Sequence, residues 1–292
     1  VTNVGGWIKV NNPNLLETKY LYYSLLWQWV NLVFDYTFKA HPSVIRNLYK
    51  IKLVPIKEQK YIVATLDKIN ELIDANKRQL ELLDEAVKAR FGEMFGDSFN
   101  SFGWPLHELE SVVQINKCKS IPTLDSNERA WLLNLDMVES DTGKIIDFNM
   151  VDIDAIGSST VKFDDSSILY SKLRPYLNKV VIPSKSGYAT SEILVMNPSK
   201  KINRFFLATL LRSKNFVDFA NSTSYGAKMP RASVSMIKQY KLMCPPIDIQ
   251  DKFEVLYLKS QKLKSYISDN IILLQELLNK KMDEFFCGDS NA

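Results

Sequence analysis

A chain of 292 residues, 46% hydrophobic and 24% charged, has apolar content for the cores of about two domains. Its formal net charge of +4 and pI near 8.7 admit a polyanionic partner without requiring one. Cys118, Cys244 and Cys287 are widely spaced with no CxxC, and His41 and His107 are the only histidines. This speaks against a disulfide framework, a metal site or a His-based nucleophile relay, and makes reduced thiols in a cytoplasmic protein the default.

The chain opens on "VTNVGGWIKV", which lacks the basic-then-apolar shape of a signal peptide. The uncharged run 20–34 is shorter than the ~20 residues of a membrane helix and contains Ser24, Gln28 and Asn31. It predicts a buried amphipathic helix, and no membrane partner. "NLYKIKLVPIKEQ" (47–59) then leads into a stretch free of Pro and Gly until Gly92. Leu66, Ile73, Leu80, Val87 and Met94 recur every seven residues, and Ile62, Ile69 and Leu83 form a second row whose gaps hold Asn76 and Arg90. The two rows are offset as the a and d positions of a coiled-coil seam. The spacing predicts one helix over 57–95, roughly 55 Å long at ~1.5 Å per residue. A polar seam residue such as Asn76 fixes register at a cost in stability.

Residues 97–247 read as a complete mixed α/β domain with many short strands. "WPLHELESVVQI", "AWLLNLDMV", "GKIIDFNMVDI", "SSILYSKL", "NKVVIPSKSGYATSEILVMNP" and "QYKLMCPPI" are β-branched or apolar and bounded by turn residues. Residues 204–219 predict a helix, and 221–235 a loop or helix start. "KQYKLMCPPIDIQ" (238–250) then echoes the passage at 47–59, with Pro246 standing 191 residues after Pro55 and Gln250 after Gln59. A second long helix is predicted over 250–286, with Ile267, Ile271, Leu274 and Leu278 on its seam beside Asn270. Upstream, "NNPNLLETKYLYYSLL" (11–26) resembles "MNPSKKINRFFLATLL" (196–211). The repeated unit is therefore the end of a globular domain, a proline turn and a long helix. The chain divides into 1–56, the closing part of a first domain; 57–96, a helix; 97–247, a whole domain; 248–288, a second helix; and 289–292, a tail.

No G-x-x-x-x-G-K-[ST] and no G-x-G-x-x-G occur. "CPPI" lacks the acidic or amide residue before, and the aromatic after, the prolines of an adenine methyltransferase motif. Pro245 and Pro246 read as the end of a strand and the start of a helix, and His107 as structural. What remains is a polar and basic constellation in three loops. "SKLRPYLNK" carries Lys172, Arg174, Tyr176, Asn178 and Lys179; "SKSGYATSE" carries Lys185, Tyr188, Thr190 and Ser191; "NSTSYGAKMPRAS" carries Asn221, Ser222, Thr223, Ser224, Tyr225, Lys228 and Arg231. Arg and Lys reach phosphates or guanine edges, and the neutral polar residues supply donors and acceptors that tell bases apart. Solvated loop tips are the plainer reading of the same residues.

The whole arrangement resembles the specificity subunit of type I restriction-modification systems. The resemblance is carried by "WPLHELESVV" (104–113), "ILYSKLRPYLNKVV" (168–181) and "YATSEILVMNP" (188–198) in that order, and by "VPIKEQ" and "PPIDIQ" at the entries to the long helices. It implies an α/β class: a mixed α+β target-recognition domain plus two long helices packed as an antiparallel coiled coil. It also implies a non-catalytic DNA-binding subunit for DNA modification and host defence, reading part of a bipartite duplex site. Its partners are double-stranded DNA, the methyltransferase (modification) subunits and the restriction subunits, and it needs no cofactor or metal of its own. The contacts to DNA are expected at Lys172, Arg174, Lys179, Thr190, Ser191, Ser222, Ser224, Lys228 and Arg231. The partner-binding helices are expected to act through Leu66, Ile73, Asn76, Leu80, Val87, Ile267, Ile271, Leu274 and Leu278. Residues 1–56 match only the last part of a first recognition domain, with Lys39, His41 and Arg46 at its end, and such shortened chains are able to self-pair. Other readings are a non-catalytic coiled-coil scaffold and the recognition end of a fused restriction-methyltransferase.

Overall fold

The computed structural model describes residues 8–31, 49–96, 102–116 and 129–287. The chain forms two compact units, Val1–Glu85 with Gln261–Ala292, and Ala86–Ser260. Two 40-residue helices, α2 (Ile56–Phe95) and α7 (Ile247–Phe286), each begin in one unit and end in the other. They start one and three residues ahead of the positions that periodicity suggests. The cause lies in Pro55 and Pro246, whose carbonyls accept the first helical bonds, from Gln59 N at 3.0 Å and from Ile249 N at 3.1 Å. Among the described residues no helix is long and apolar enough to cross a membrane.

In the first unit α2 and α7 run antiparallel. Asp84 is ion-paired with Lys264, Asn270 Nδ2 donates to Asn76 Oδ1 at 3.2 Å, and Ile62, Val63 and Leu66 cluster with Met282 and Phe286. Helix α1 (Thr18–Asn31) closes this cluster with Tyr20 and Tyr23, the Tyr20 ring lying 5.4 Å from that of Phe286. The predicted burial of α1 holds on one face alone: Tyr20, Leu21, Tyr23, Ser24 and Gln28 are buried, while Tyr22 is 58% and Val30 75% exposed. Residues 32–34 of that expectation, with Lys39, His41, Arg46 and Cys118, lie outside the described residues.

The second unit is layered. Strands β2 (Val113–Ile115), β9 (Ile193–Pro198), β6 (Ile168–Ser171) and β7 (Val180–Val181) form an antiparallel sheet in that order. A second sheet has the order β4 (Asn149–Asp152), β3 (Arg129–Leu133), β8 (Gly187–Thr190) and β5 (Thr160–Phe163), with β3 and β8 parallel. The first sheet is buried on both faces. Leu169, Val181, Ile193 and Val195 meet Trp131, Leu133, Phe163 and Ala189 of the second sheet. On the other face Ile168, Tyr170, Val180, Leu194 and Met196 meet helices α4 (Arg204–Leu211) and α5 (Lys214–Ser222). Strands buried on both faces read as continuous apolar runs, as "ILY" and "ILVM" do. A short pair, β1 (Leu106–Glu108) with β10 (Lys241–Met243), lies beside helices α3 (Leu109–Val112) and α6 (Val234–Gln239). The predicted helix 204–219 is thus two helices, because Ser213 stops the first and caps the second, its Oγ accepting from Phe216 N. The predicted strand 104–115 is likewise interrupted, by α3. The core meets the long helices through Phe206, whose ring stands 5.4 Å from Phe91 and 4.7 Å from Phe95.

The sequence echo is a structural joint made twice. Gln59 Oε1 accepts from Glu17 N at 2.8 Å, and its Nε2 donates to the carbonyls of Leu15 and Val54 at 2.9 and 2.8 Å. Gln250 Oε1 accepts from Asn203 N at 2.8 Å, and its Nε2 donates to the carbonyls of Lys201 and Pro245 at 3.3 and 2.7 Å. Both side chains are fully buried. Each amide ties the start of its long helix to the start of the preceding domain helix, since Glu17 and Asn203 also accept from the first amides of α1 and α4.

Candidate nucleic-acid interface

The three loops singled out in the sequence come together where the chain leaves one sheet for the other. Strands β8 and β9 are consecutive but belong to different sheets, so Ser191 and Glu192 form a corner between them. Lys172 N donates to the Glu192 carbonyl at 3.0 Å, which joins the first loop to the second. Ala232 N donates to the Lys172 carbonyl at 2.8 Å and Arg174 N to the Pro230 carbonyl at 2.7 Å, which joins the third. The loops are therefore fastened to one another by main-chain hydrogen bonds, leaving their side chains to project.

The first loop holds two residues in the left-handed region, Arg174 (φ 50°) and Asn178 (φ 49°), on either side of a 3-10 turn at Pro175–Leu177. Non-glycine residues there carry strain that neighbouring structure must hold. Here the holding groups are the Arg174–Pro230 bond and the Asn178 amide, which donates to the Arg212 carbonyl at 3.3 Å. Another turn packs alongside: Asp141 N donates to the Leu177 carbonyl at 3.1 Å, and Gly143 (φ 67°) lies so close to the Val180 carbonyl and the Arg212 guanidinium that a Cβ would overlap both. The turn thus requires glycine twice over, for its φ and for its space.

The predicted contact residues divide into two groups. Arg174 and Lys228 are exposed and Lys172 is half-buried, and none has an ion-pair partner among the described residues. Most of the others are engaged within the fold. Arg231 Nε donates to both carboxylate oxygens of Glu192, at 3.0 and 3.1 Å, and this pairing holds its guanidinium above its ordinary pKa. Lys179 Nζ donates to the Leu135 carbonyl at 2.7 Å, and burial lowers its pKa. Ser222 and Ser224 hydroxyls donate to the carbonyls of Phe219 and Asn221, at 2.9 and 2.7 Å. Thr190 is half-buried at the end of β8 opposite Thr160, and Ser191 is half-buried at the corner. Of the further residues in these loops, Lys185 lies elsewhere, with Nζ 4.4 Å from the Phe148 ring centroid and 5.4 Å from that of Trp131. Sequence reasoning passed over Met229 and left Tyr176 and Tyr225 out of the contacts, yet all three are exposed in this cluster. The available signal was large apolar side chains inside loops otherwise made mostly of small, polar and basic residues.

The expected partner-binding positions lie on the seam. Leu66, Ile73, Val87 and Ile267 are buried, and Asn76, Leu80, Ile271, Leu274 and Leu278 are half-buried. The same periodicity that makes them a stripe points them at neighbouring helices, so the buried four offer no surface to a partner subunit. Arg90, counted in the seam, is exposed and pairs with Glu93 at 2.7 Å. In the first unit the exposed apolar residues of the long helices include Leu72, Leu82, Tyr266, Leu273 and Leu277.

The sequence profile of the type I restriction modification DNA specificity domain matches residues 103–280, more than half of the chain. The chain belongs to this specificity-domain family. Among curated relatives, the specificity subunit of the Escherichia coli type I restriction enzyme EcoDI is 22% identical over 329 aligned positions, taking in 97% of this chain and 72% of that protein. A structure solved for the complex assembly and conformational transition of a type I R-M system has a TM-score of 0.58 at 15% identity, over 95% of this chain and 73% of its own. The S subunit of the type I restriction-modification system of M. genitalium has a TM-score of 0.54 at 14% identity, over 93% and 74%. At these identities the solved structures show a shared fold, with mixed sheets and long antiparallel helices. The specificity-domain match contains all three converging loops.

Proposed function

We propose that this chain is the DNA sequence-recognition subunit of a type I restriction-modification complex, and that it has no catalytic centre of its own. The second unit reads one part of a bipartite duplex site, using the corner where residues 172–179, 190–192 and 224–231 meet. The observation that carries this reading is the main-chain fastening of three loops bearing unpaired Lys172, Arg174 and Lys228. Such a rigid basic edge fits a duplex, where phosphate contacts position the protein and base contacts specify the site. Selection of duplexes from a random pool, followed by mobility shift, tests it: recovery of a common sequence is expected. Equal binding of all duplexes overturns the claim of specificity.

The paired long helices are, in this proposal, both the spacer and the docking surface for methyltransferase and restriction subunits. At 40 residues each spans about 60 Å, more than one ~34 Å duplex turn. Docking is assigned to the exposed face rather than to the seam. Tyr266→Glu with Leu273→Glu should leave folding intact and abolish co-purification with a methyltransferase subunit; retention at wild-type yield removes the docking proposal. The division at 1–56, 57–96, 97–247 and 248–288 belongs to this reading, with 1–56 as the closing part of another recognition domain. The exposed side of α1 supports that assignment. Assembly with a second copy of the chain is proposed to cover that side.

A further inference from the structure

We propose that the hairpin loop 224–231 enters the major groove of DNA, and that Tyr225 and Met229 make its apolar contacts to base edges, thymine methyl groups among them. The inference rests on the DNA-reading function proposed above and adds to it the groove, the chemical feature read and the residues that read it.

The loop is closed at its base by a reciprocal pair, Tyr225 N to Arg231 O at 3.0 Å and Arg231 N to Tyr225 O at 2.8 Å. That base is held from outside by the bridge between Leu173 and Arg231, by the Arg174–Pro230 bond and by the Arg231–Glu192 ion pair. At the tip Gly226 has φ 95°, and a Cβ there would sit 3.1 Å from the Met229 carbonyl, so the turn is built for glycine. Tyr225 is 62% and Met229 45% exposed on this anchored base, with Tyr176 exposed on the adjoining turn. Large apolar side chains held together in water on a rigid support mark a surface that another molecule covers. The charge nearby identifies the class of that molecule. Lys228 lies on the tip, Arg174 is bonded through its N–H to Pro230 on the return, and the carboxylate tied to the loop's base, Glu192, is engaged by Arg231. An anionic partner with an apolar feature fits both facts. The ~12 Å major groove admits a loop of this width more readily than the ~6 Å minor groove, and the major groove is where thymine displays its methyl group.

The experiment uses the full chain and the duplexes it selects from a random pool at low salt. Each thymine of the selected site is replaced in turn by deoxyuridine, which removes the methyl and leaves the hydrogen-bonding edge unchanged. At one or more positions wild-type binding should fall by roughly 4-fold, the worth of a single buried methyl group. Tyr225→Ala or Met229→Ala should lose that sensitivity while melting like wild type. Lys228→Ala, in contrast, should weaken all duplexes alike and keep the selected sequence. If a common sequence is selected but no position responds to deoxyuridine, or if both apolar variants respond as wild type does, the loop does not read thymine methyls and the proposal fails. If no common sequence emerges, the underlying DNA-reading function fails instead.

Discussion

The two units share one joint and differ in what surrounds it. In each, a buried glutamine ties the start of a long helix to a domain helix. An aromatic ring of that domain helix then packs on the end of the other long helix, Tyr20 on Phe286 and Phe206 on Phe95. Beyond the joint the likeness stops. Helix α4 is enclosed: Phe205, Phe206, Leu207, Ala208, Leu210 and Leu211 are all buried, with a sheet and α5 against them. Helix α1 has one face packed, and Tyr22, Trp29 and Val30 stand exposed on the other. The comparison teaches that the joint is a local device. Its hydrogen bonds and its aromatic pair close in the same way although, among the described residues, a sheet packs on one domain helix and not on the other.

Truncating the aromatic ring tests that equivalence most severely. Phe206→Ala and Tyr20→Ala should each cost about 3–5 kcal/mol, as removal of a fully buried aromatic side chain does, measured by urea unfolding with hydrogen exchange resolved by unit. A much smaller loss for Tyr20→Ala would break the comparison and make enclosure, rather than the joint, the main source of stability. Next come Gln59→Leu and Gln250→Leu. Each leaves a buried N–H and two carbonyls without their partner, a loss of about 2–4 kcal/mol. The Glu17 amide should lose exchange protection in the first variant and the Asn203 amide in the second, with no crossover between units. The smallest effect is expected from acid. Hydrogen bonds from Lys19 and Tyr23 hold the Asp67 carboxyl below its ordinary 3.8, while partial burial opposes them. A depressed folded pKa means that the anion stabilises the fold above 3.8 and that this contribution disappears as pH falls through the lower folded value. Its partner Lys19 stands largely in solvent, so screening keeps the effect below about 1 kcal/mol. The matching position of α7 is Leu258, so this acid-labile tie belongs to the first unit's joint alone, and Asp67→Asn should reduce the fall in that unit's thermal stability as pH drops, while Asp164 of the second unit, held low by Ser166 and Ser167, keeps its own contribution.

Local repetition and seven-residue spacing were legible in the sequence, and with them both long helices, the joint and the layout of the second unit. Gln59 and Gln250 stood out as a matched pair before any contact was known, because buried amides need fixed partners and so occupy fixed places. The break at Arg212 and Ser213 was less visible, since a serine in a helical run serves equally as an interior residue or as a cap. Strand β5 was missed because its four residues lie among Ser, Asp and Gly and pair only with the distant β8. The three loops singled out in the sequence do adjoin, but the roles of their residues were not separable. Nothing in "KMPRAS" distinguishes Lys228, left free, from Arg231, paired with a glutamate 39 residues away. Composition gives the class of a side chain; only the fold states which ones are already occupied.

The fastening of the three loops has a consequence for how such a protein changes. Their relative positions are set by amide and carbonyl groups, at Lys172, Arg174, Glu192, Pro230 and Ala232, and every residue type supplies those groups except the N–H that proline lacks. The exposed tips at Tyr176, Tyr225, Lys228 and Met229 are therefore interchangeable in chemistry while the frame stays still. In the DNA-reading role proposed for this corner, a new preference becomes reachable by single substitutions, with no intermediate that has to refold.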